Sequence, residues 1–193
     1  MPQVAGRRAC FAVLVGMIAV IPPWARAEGS GPLTALVDSL AERLALAEPV
    51  AAYKWSTHAA IEDSARVEQE LSTLREDAAS AHVDPDYVVR VFSDQIAATE
   101  AIEYRRFADW KLDPAAVTPA PADLAASRAA IDALNTKILS HIAFNWSLLT
   151  AAECAGLLQH SRDEVTRLRG LDNLYQRALT AATASYCQPQ RPA

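Results

Sequence analysis

Glycine is scarce, at 6 of 193 residues, and no Asn-Gly pair occurs. Runs of alternating β-branched residues are missing too, so hairpins and sheets have no support in the sequence. Cysteine is limited to Cys10, Cys154 and Cys187, with no C-x-x-C spacing, which makes metal ligation by thiolates the weaker reading. None of His58, His82, His141 or His160 has a second histidine at i+3 or i+4 or a glutamate three residues before it. That removes the His-Glu-x-x-His and Glu-x-x-His patterns of zinc and di-iron helices. P-loop, G-x-G-x-x-G and G-x-S-x-G signatures are absent as well. Basic residues do not dominate: 18 Lys and Arg stand against 23 Asp and Glu, for a net charge of −5. A basic stripe for nucleic acid and a polybasic amphipathic segment for an anionic membrane are both lacking.

One long apolar run is present, at the start. Arg7 and Arg8 precede "CFAVLVGMIAVIPPW", and Ala25-Arg26-Ala27 follows. This is the order of a secretory leader, with small residues at −3 and −1 of a cleavage point after Ala27. The run is shorter than the roughly 20 residues of a spanning helix, and Pro22-Pro23 interrupts its end. The expectation is a cleaved leader at residues 1–27, one helical domain at residues 28–193, and a secreted or periplasmic location with no membrane contact after cleavage. Cys10 leaves with the leader. Cys154 and Cys187 remain as an even pair in an oxidising compartment, which predicts one disulfide.

Beyond the leader, helical periodicity runs throughout. A first helix is predicted from about Leu33 to Ala47, with Pro49 kinking it or starting its continuation through Ser56. A second spans about Ile61 to Ser80. Asp84-Pro85 reads as an N-cap followed by proline at the first helical position, opening a long helix to about Lys111. "LDPAAVTPAPAD" is a proline-rich linker. Asp123 or Ser127 opens a fourth long helix to about Leu149. Thr150 caps a short helix holding Cys154, and Ser161, with Asp163 and Glu164, opens a last helix to about Ser185. The fold class is all-α: a bundle of about six helices, in which a ligand site lies between helices.

Several charges sit where they can face inward. In "PVAAYKW", Lys54 stands between two aromatics in an otherwise small, apolar run. An ammonium there either snorkels to water over its neighbours or occupies a cavity. Asp63, Arg66 and Glu70 share a helix face at i, i+3 and i+7, and Thr99 and Glu103 at i, i+4. Arg43 lies eleven residues before Lys54, three turns with about 20° of drift, so the two can line one side. Arg128 has Ala, Ser and Ile around it. For each of these the bland reading is a solvated surface ion pair, and spacing alone does not make them converge.

Taken together, "ERLALAEPVAAYKW", "IEDSARVEQE", "DPDYVVRVFSDQIAATEAIEYRRFADWKL", "SRAAIDALN" and "LDNLYQRALTAATASYC" resemble the secreted subclass of the all-helical chorismate mutases, over about Leu33 to Cys187. The resemblance implies rearrangement of chorismate to prephenate with no cofactor and no metal, in a homodimer with one complete site per chain. It places substrate binding on Arg43, Lys54, Asp63, Arg66, Thr99, Glu103 and Arg128, with Lys54 and Glu103 as the catalytic pair. Glu70 stands where the family pattern has glutamine beside the substrate's ring hydroxyl. A different class of function uses the same cations without turnover: an exported helical protein that binds a small dicarboxylate or senses stress.

Overall fold

The computed structural model describes residues 31–187. The leader assigned to residues 1–27, with Cys10, lies outside the described residues. Among those described, eight α-helices occur: α1 (Thr34–Ala45), α2 (Ala47–Thr57), α3 (Ser64–Ser80), α4 (Pro85–Leu112), α5 (Ala125–Phe144), α6 (Trp146–Leu149), α7 (Cys154–Arg169) and α8 (Asn173–Ala182). A 3-10 turn, Pro114–Ala116, lies in the proline-rich linker. With α1–α2 and α5–α6 each taken as one interrupted rod, the bundle has six members, as expected.

The caps explain most boundaries. The Asp84 carboxylate accepts from the N–H groups of Asp86 (2.9 Å) and Tyr87 (3.4 Å), with Pro85 opening α4. Helix α3 starts three residues later than expected because Asp63 caps it, accepting from Arg66 N–H at 3.1 Å. Pro49 falls in the first turn of α2, where a missing N–H leaves no intrahelical bond unmade. It therefore starts the continuation rather than kinking it. Asp123 takes the Ala125 N–H at 2.7 Å as α5 opens, and Ser127 lies inside that helix.

The C-terminal region departs from expectation. Cys154 opens a full-length helix, α7, rather than a short one, and Thr150 does not cap it. Ser161 and Glu164 are buried within α7 instead of opening a helix. Glu164 accepts from the Thr34 hydroxyl (2.6 Å) and from Gly31 N–H (3.0 Å), fastening the start of α1 to α7. The break comes later, at Gly170, whose φ of +60° is the left-handed conformation that closes a helix. Asp172 then caps α8 through Tyr175 N–H at 2.9 Å.

Leu33, Leu36, Val37, Leu40 and Leu44 form a fully buried stripe along α1. It belongs to one core with Tyr87, Val88, Val91 and Phe92 of α4 and Ile138 and Ile142 of α5. Each such side chain contributes about 1.5–3 kcal/mol on burial. A separate cluster joins α2 to α4: Ala51, Ala52 and Trp110, with Trp55 and Phe107 against them. Trp55 meets Phe107 edge-on at 5.1 Å between centroids and Trp110 at 5.8 Å. This contact sets the rotation of α2, and so the direction of its neighbour Lys54.

The segment after α8 is held from three sides. Ser185 N–H donates to Asp94 (2.9 Å), the Tyr87 hydroxyl donates to the Tyr186 carbonyl (2.8 Å), and Cys187 is bonded to Cys154 at the start of α7. The bridge closes a separation of 33 residues. A chain-entropy model gives such a loop about 3–4 kcal/mol. Urea unfolding of Cys154→Ser is expected to show a loss of that order, and no measurable loss would mean that the hydrogen bonds alone hold the tail.

Candidate active site

The first five helices enclose a cavity of about 240 Å³, on the scale of a single-ring metabolite. Arg43 enters from α1, Lys54 from α2, and Arg66 and Glu70 from α3, with Asp63 at that helix's cap. Thr99 and Glu103 enter from α4 and Arg128 from α5. All eight residues singled out in the sequence thus border one space. Val50, Val67, Ile96, Leu124 and Ile131 supply apolar wall between them.

Lys54 does not snorkel. Its ammonium donates to Glu103 Oε2 at 2.8 Å and to the Ile61 carbonyl at 2.6 Å, and its side chain is 14% exposed. Glu103 is 2% exposed. Burial pushes its carboxyl pKa up, Lys54 pulls it back, and Glu100 one turn earlier raises it again. The net direction is upward, so this carboxyl holds a proton more readily than an ordinary glutamate. Glu100 is itself raised, by partial burial and by Glu62, against a lowering from Lys54.

Arg43 is 3% exposed and fully engaged on its inner side. Its Nε donates to Asn135 Oδ1 (2.7 Å) and its Nη2 to Glu70 Oε1 (2.5 Å), while Nη1 lies 3.5 Å from the Thr99 hydroxyl. Asn135 Nδ2 donates to the same Glu70 oxygen at 3.0 Å. The charge of Glu70 is therefore matched by Arg43. Burial lowers the guanidinium's pKa and Glu70 offsets only part of that, so the net direction is downward; an arginine nonetheless keeps its charge. Arg66 pairs with Asp132 at 3.1 Å in a more exposed position. Arg128 is exposed at the cavity mouth.

Two partners escaped the sequence reading. Asn135 lies 92 residues from Arg43 and 65 from Glu70, and an asparagine in mid-helix carries no local sign of a long-range role. The Ile61 carbonyl is freed for Lys54 by the late start of α3, whose signal was the Asp63 cap. The cavity holds three guanidiniums and one ammonium beside four carboxyl groups, those of Asp63, Glu70, Glu100 and Glu103, in a small, partly apolar space, with Glu70 paired to Arg43 and Glu103 to Lys54. Such a set can orient a compact dianion and donate a hydrogen bond to one of its oxygens.

The family model described as chorismate mutase type II matches residues 34–104. The secreted chorismate mutase of Mycobacterium tuberculosis is 59% identical over 182 residues, 94% of this chain and 92% of that one. The secreted chorismate mutase of Mycolicibacterium smegmatis is 42% identical, covering 91% and 97%. The crystal structure of chorismate mutase from Burkholderia thailandensis superposes with a TM-score of 0.77 at 32% identity, covering 82% of this chain and all of that one. With this identity over nearly its whole length, and with this helical architecture, the chain belongs to the secreted, all-helical type II chorismate mutases.

Proposed function

We propose that the cavity rearranges chorismate to prephenate, outside the cytoplasm. The observation that carries this is the buried Lys54–Glu103 pair, 2.8 Å apart, in a cavity ringed by Arg43, Arg66 and Arg128. Chorismate carries two carboxylates and an enolpyruvyl ether. In its rearrangement the ether C–O bond breaks as a C–C bond forms, so no nucleophile or proton shuttle is needed. Two tasks remain for the protein. The flexible arm must be folded over the ring, and charge that builds on the ether oxygen must be stabilised.

Orientation falls to the arginines, because a guanidinium grips a carboxylate with two hydrogen bonds. Arg43 and Arg128 take the carboxylates, Arg66 supports them, and Thr99 adds a hydroxyl. Lys54 donates to the ether oxygen, joined by Glu103 in its protonated form, and a fixed donor in a dry site is worth about 3–4 kcal/mol. Asp63 orients the cations and the ring hydroxyl, and Glu70 accepts from that hydroxyl.

Two broader readings go with this one. The arrangement of Arg7, Arg8, the apolar run and Ala25-Arg26-Ala27 supports a leader at residues 1–27, with residues 28–193 as the mature catalytic domain. The presence of all eight site residues in one chain supports a complete site in each copy, and the homodimer is what the family resemblance implies.

The test is to incubate the exported protein with chorismate and follow the loss of its ultraviolet absorbance. Turnover proportional to protein is expected, from a particle sedimenting as a dimer whose chains begin at Glu28. Saturable chorismate binding without turnover would replace the enzyme with a dicarboxylate-binding protein.

A further inference from the structure

We infer that Asn135 is a positioning residue, setting the orientation of the Arg43 guanidinium through a closed ring of hydrogen bonds with Glu70. The inference rests on the assignment of Arg43 to a substrate carboxylate. The ring has three sides: Arg43 Nε to Asn135 Oδ1 (2.7 Å), Asn135 Nδ2 to Glu70 Oε1 (3.0 Å), and Arg43 Nη2 to Glu70 Oε1 (2.5 Å). Asn135 is 5% exposed and Arg43 3%, so water competes little for these groups. A guanidinium is planar, and bonds to its Nε and to one Nη fix that plane. The ring therefore decides which N–H groups remain for a ligand, and where they point.

Chemistry makes asparagine specific at this position. An ionised glutamate only accepts, and an arginine only donates. The residue between them must donate to Glu70 and accept from Arg43 at once. The amide does both, and in one orientation only: flipped, its NH2 would meet the Nε–H and its oxygen would meet a carboxylate. The requirement follows from residue 70 being a glutamate, whose Oε1 accepts from both Arg43 and Asn135. A glutamine at 70 could itself donate, and an aspartate at 135 would then complete the ring with the hydrogen bond reversed.

That reversal supplies the test. Asn135→Asp is nearly isosteric but sets two carboxylates face to face. It is expected to raise KM for chorismate about 10- to 100-fold with a smaller change in kcat, because a misdirected carboxylate grip weakens ground and transition states together. Asn135→Ala, which removes both bonds without adding charge, is expected to shift KM in the same direction. Measured beside Glu70→Gln alone, the double variant Asn135→Asp with Glu70→Gln is expected to recover at least about 10-fold in kcat/KM beyond any effect of Glu70→Gln by itself, a coupling that independent sites do not show. Melting temperatures of all forms separate this from a packing defect, which would lower Tm without the KM–kcat split or the rescue. An unchanged KM in both Asn135 single variants, or strictly additive effects in the double variant, overturns the inference. If the wild-type protein binds chorismate without turnover, the functional reading fails instead. The same series is then read as chorismate dissociation constants by calorimetry, with the same rescue expected, and undetectable binding by the wild type overturns both.

Discussion

Lys54→Ala is expected to lower kcat by about 100-fold or more, the loss associated with one fixed donor to a developing oxyanion. In the rearrangement, negative charge grows on the ether oxygen only as the C–O bond lengthens. A cation aimed at that oxygen therefore acts on the transition state more than on the bound substrate, and its loss appears in kcat rather than in KM. Lys54 suits this role because its ammonium is already fixed by Glu103 and the Ile61 carbonyl, and needs little reorganisation. The effect on folding is expected to be modest. Removing the ammonium leaves Glu103 buried, but that carboxyl can take up a proton in place of standing as a bare charge, and its pKa is already raised by burial. Kinetics and thermal melts on the same preparation check the split. A near-normal kcat in Lys54→Ala would return Lys54 to a purely structural part.

Glu103 is expected to impose an alkaline fall on the reaction, and Glu103→Gln to remove it. A carboxylate beside the ether oxygen would repel the charge that builds there, so in the proposed mechanism the active form carries the proton. In the free protein burial raises the Glu103 pKa, Lys54 lowers it, and Glu100 raises it, with a net upward direction. Two substrate carboxylates bring further negative charge into the cavity and push the same way. A group that works protonated is fully effective below its pKa, and activity is lost as pH rises through it. The limb in kcat/KM reports the free protein and that in kcat the complex, so the fall in kcat is expected at the higher pH. Glutamine presents a permanent N–H donor of similar shape. Glu103→Gln is expected to retain substantial activity with a flattened alkaline limb, whereas Glu103→Ala loses donor and activity together. Rate profiles from about pH 5 to 9 on the three proteins decide the matter, and an unchanged limb in Glu103→Gln would remove Glu103 from this role.

Local chemistry made much of the fold legible in the sequence. Asp84 and Pro85 announced the start of α4, because a cap and a pre-set φ act within one turn and need no distant partner. The shared helix faces of Asp63, Arg66 and Glu70, and of Thr99 and Glu103, follow from 3.6 residues per turn. The last third of the chain is less legible for the converse reason. Ser161 and Glu164 are good residues for a helix start, yet in the folded chain they answer Thr34 and Gly31, about 130 residues away. Tertiary hydrogen bonds make them interior residues of α7, and the break falls at Gly170 and Asp172. Those two carried a readable stop and restart that a continuous helical pattern obscured.

The candidate site divides in the same way. The identities of its charged residues, and which of them share a helix face, were set by the sequence alone, because side-chain chemistry and helical period are local properties. Their convergence was decided by packing. Trp55 against Phe107 and Trp110 turns α2 so that Lys54 meets Glu103. The α1 stripe brings Arg43 beneath α3 and α5, where Glu70 and Asn135 hold it. Whether Lys54 snorkels or is buried, and whether Glu70 is a surplus charge or the counterion of Arg43, depends on which groups meet across helices. Contacts between residues 27 to 92 positions apart settle that, and such contacts exist only once the core has formed.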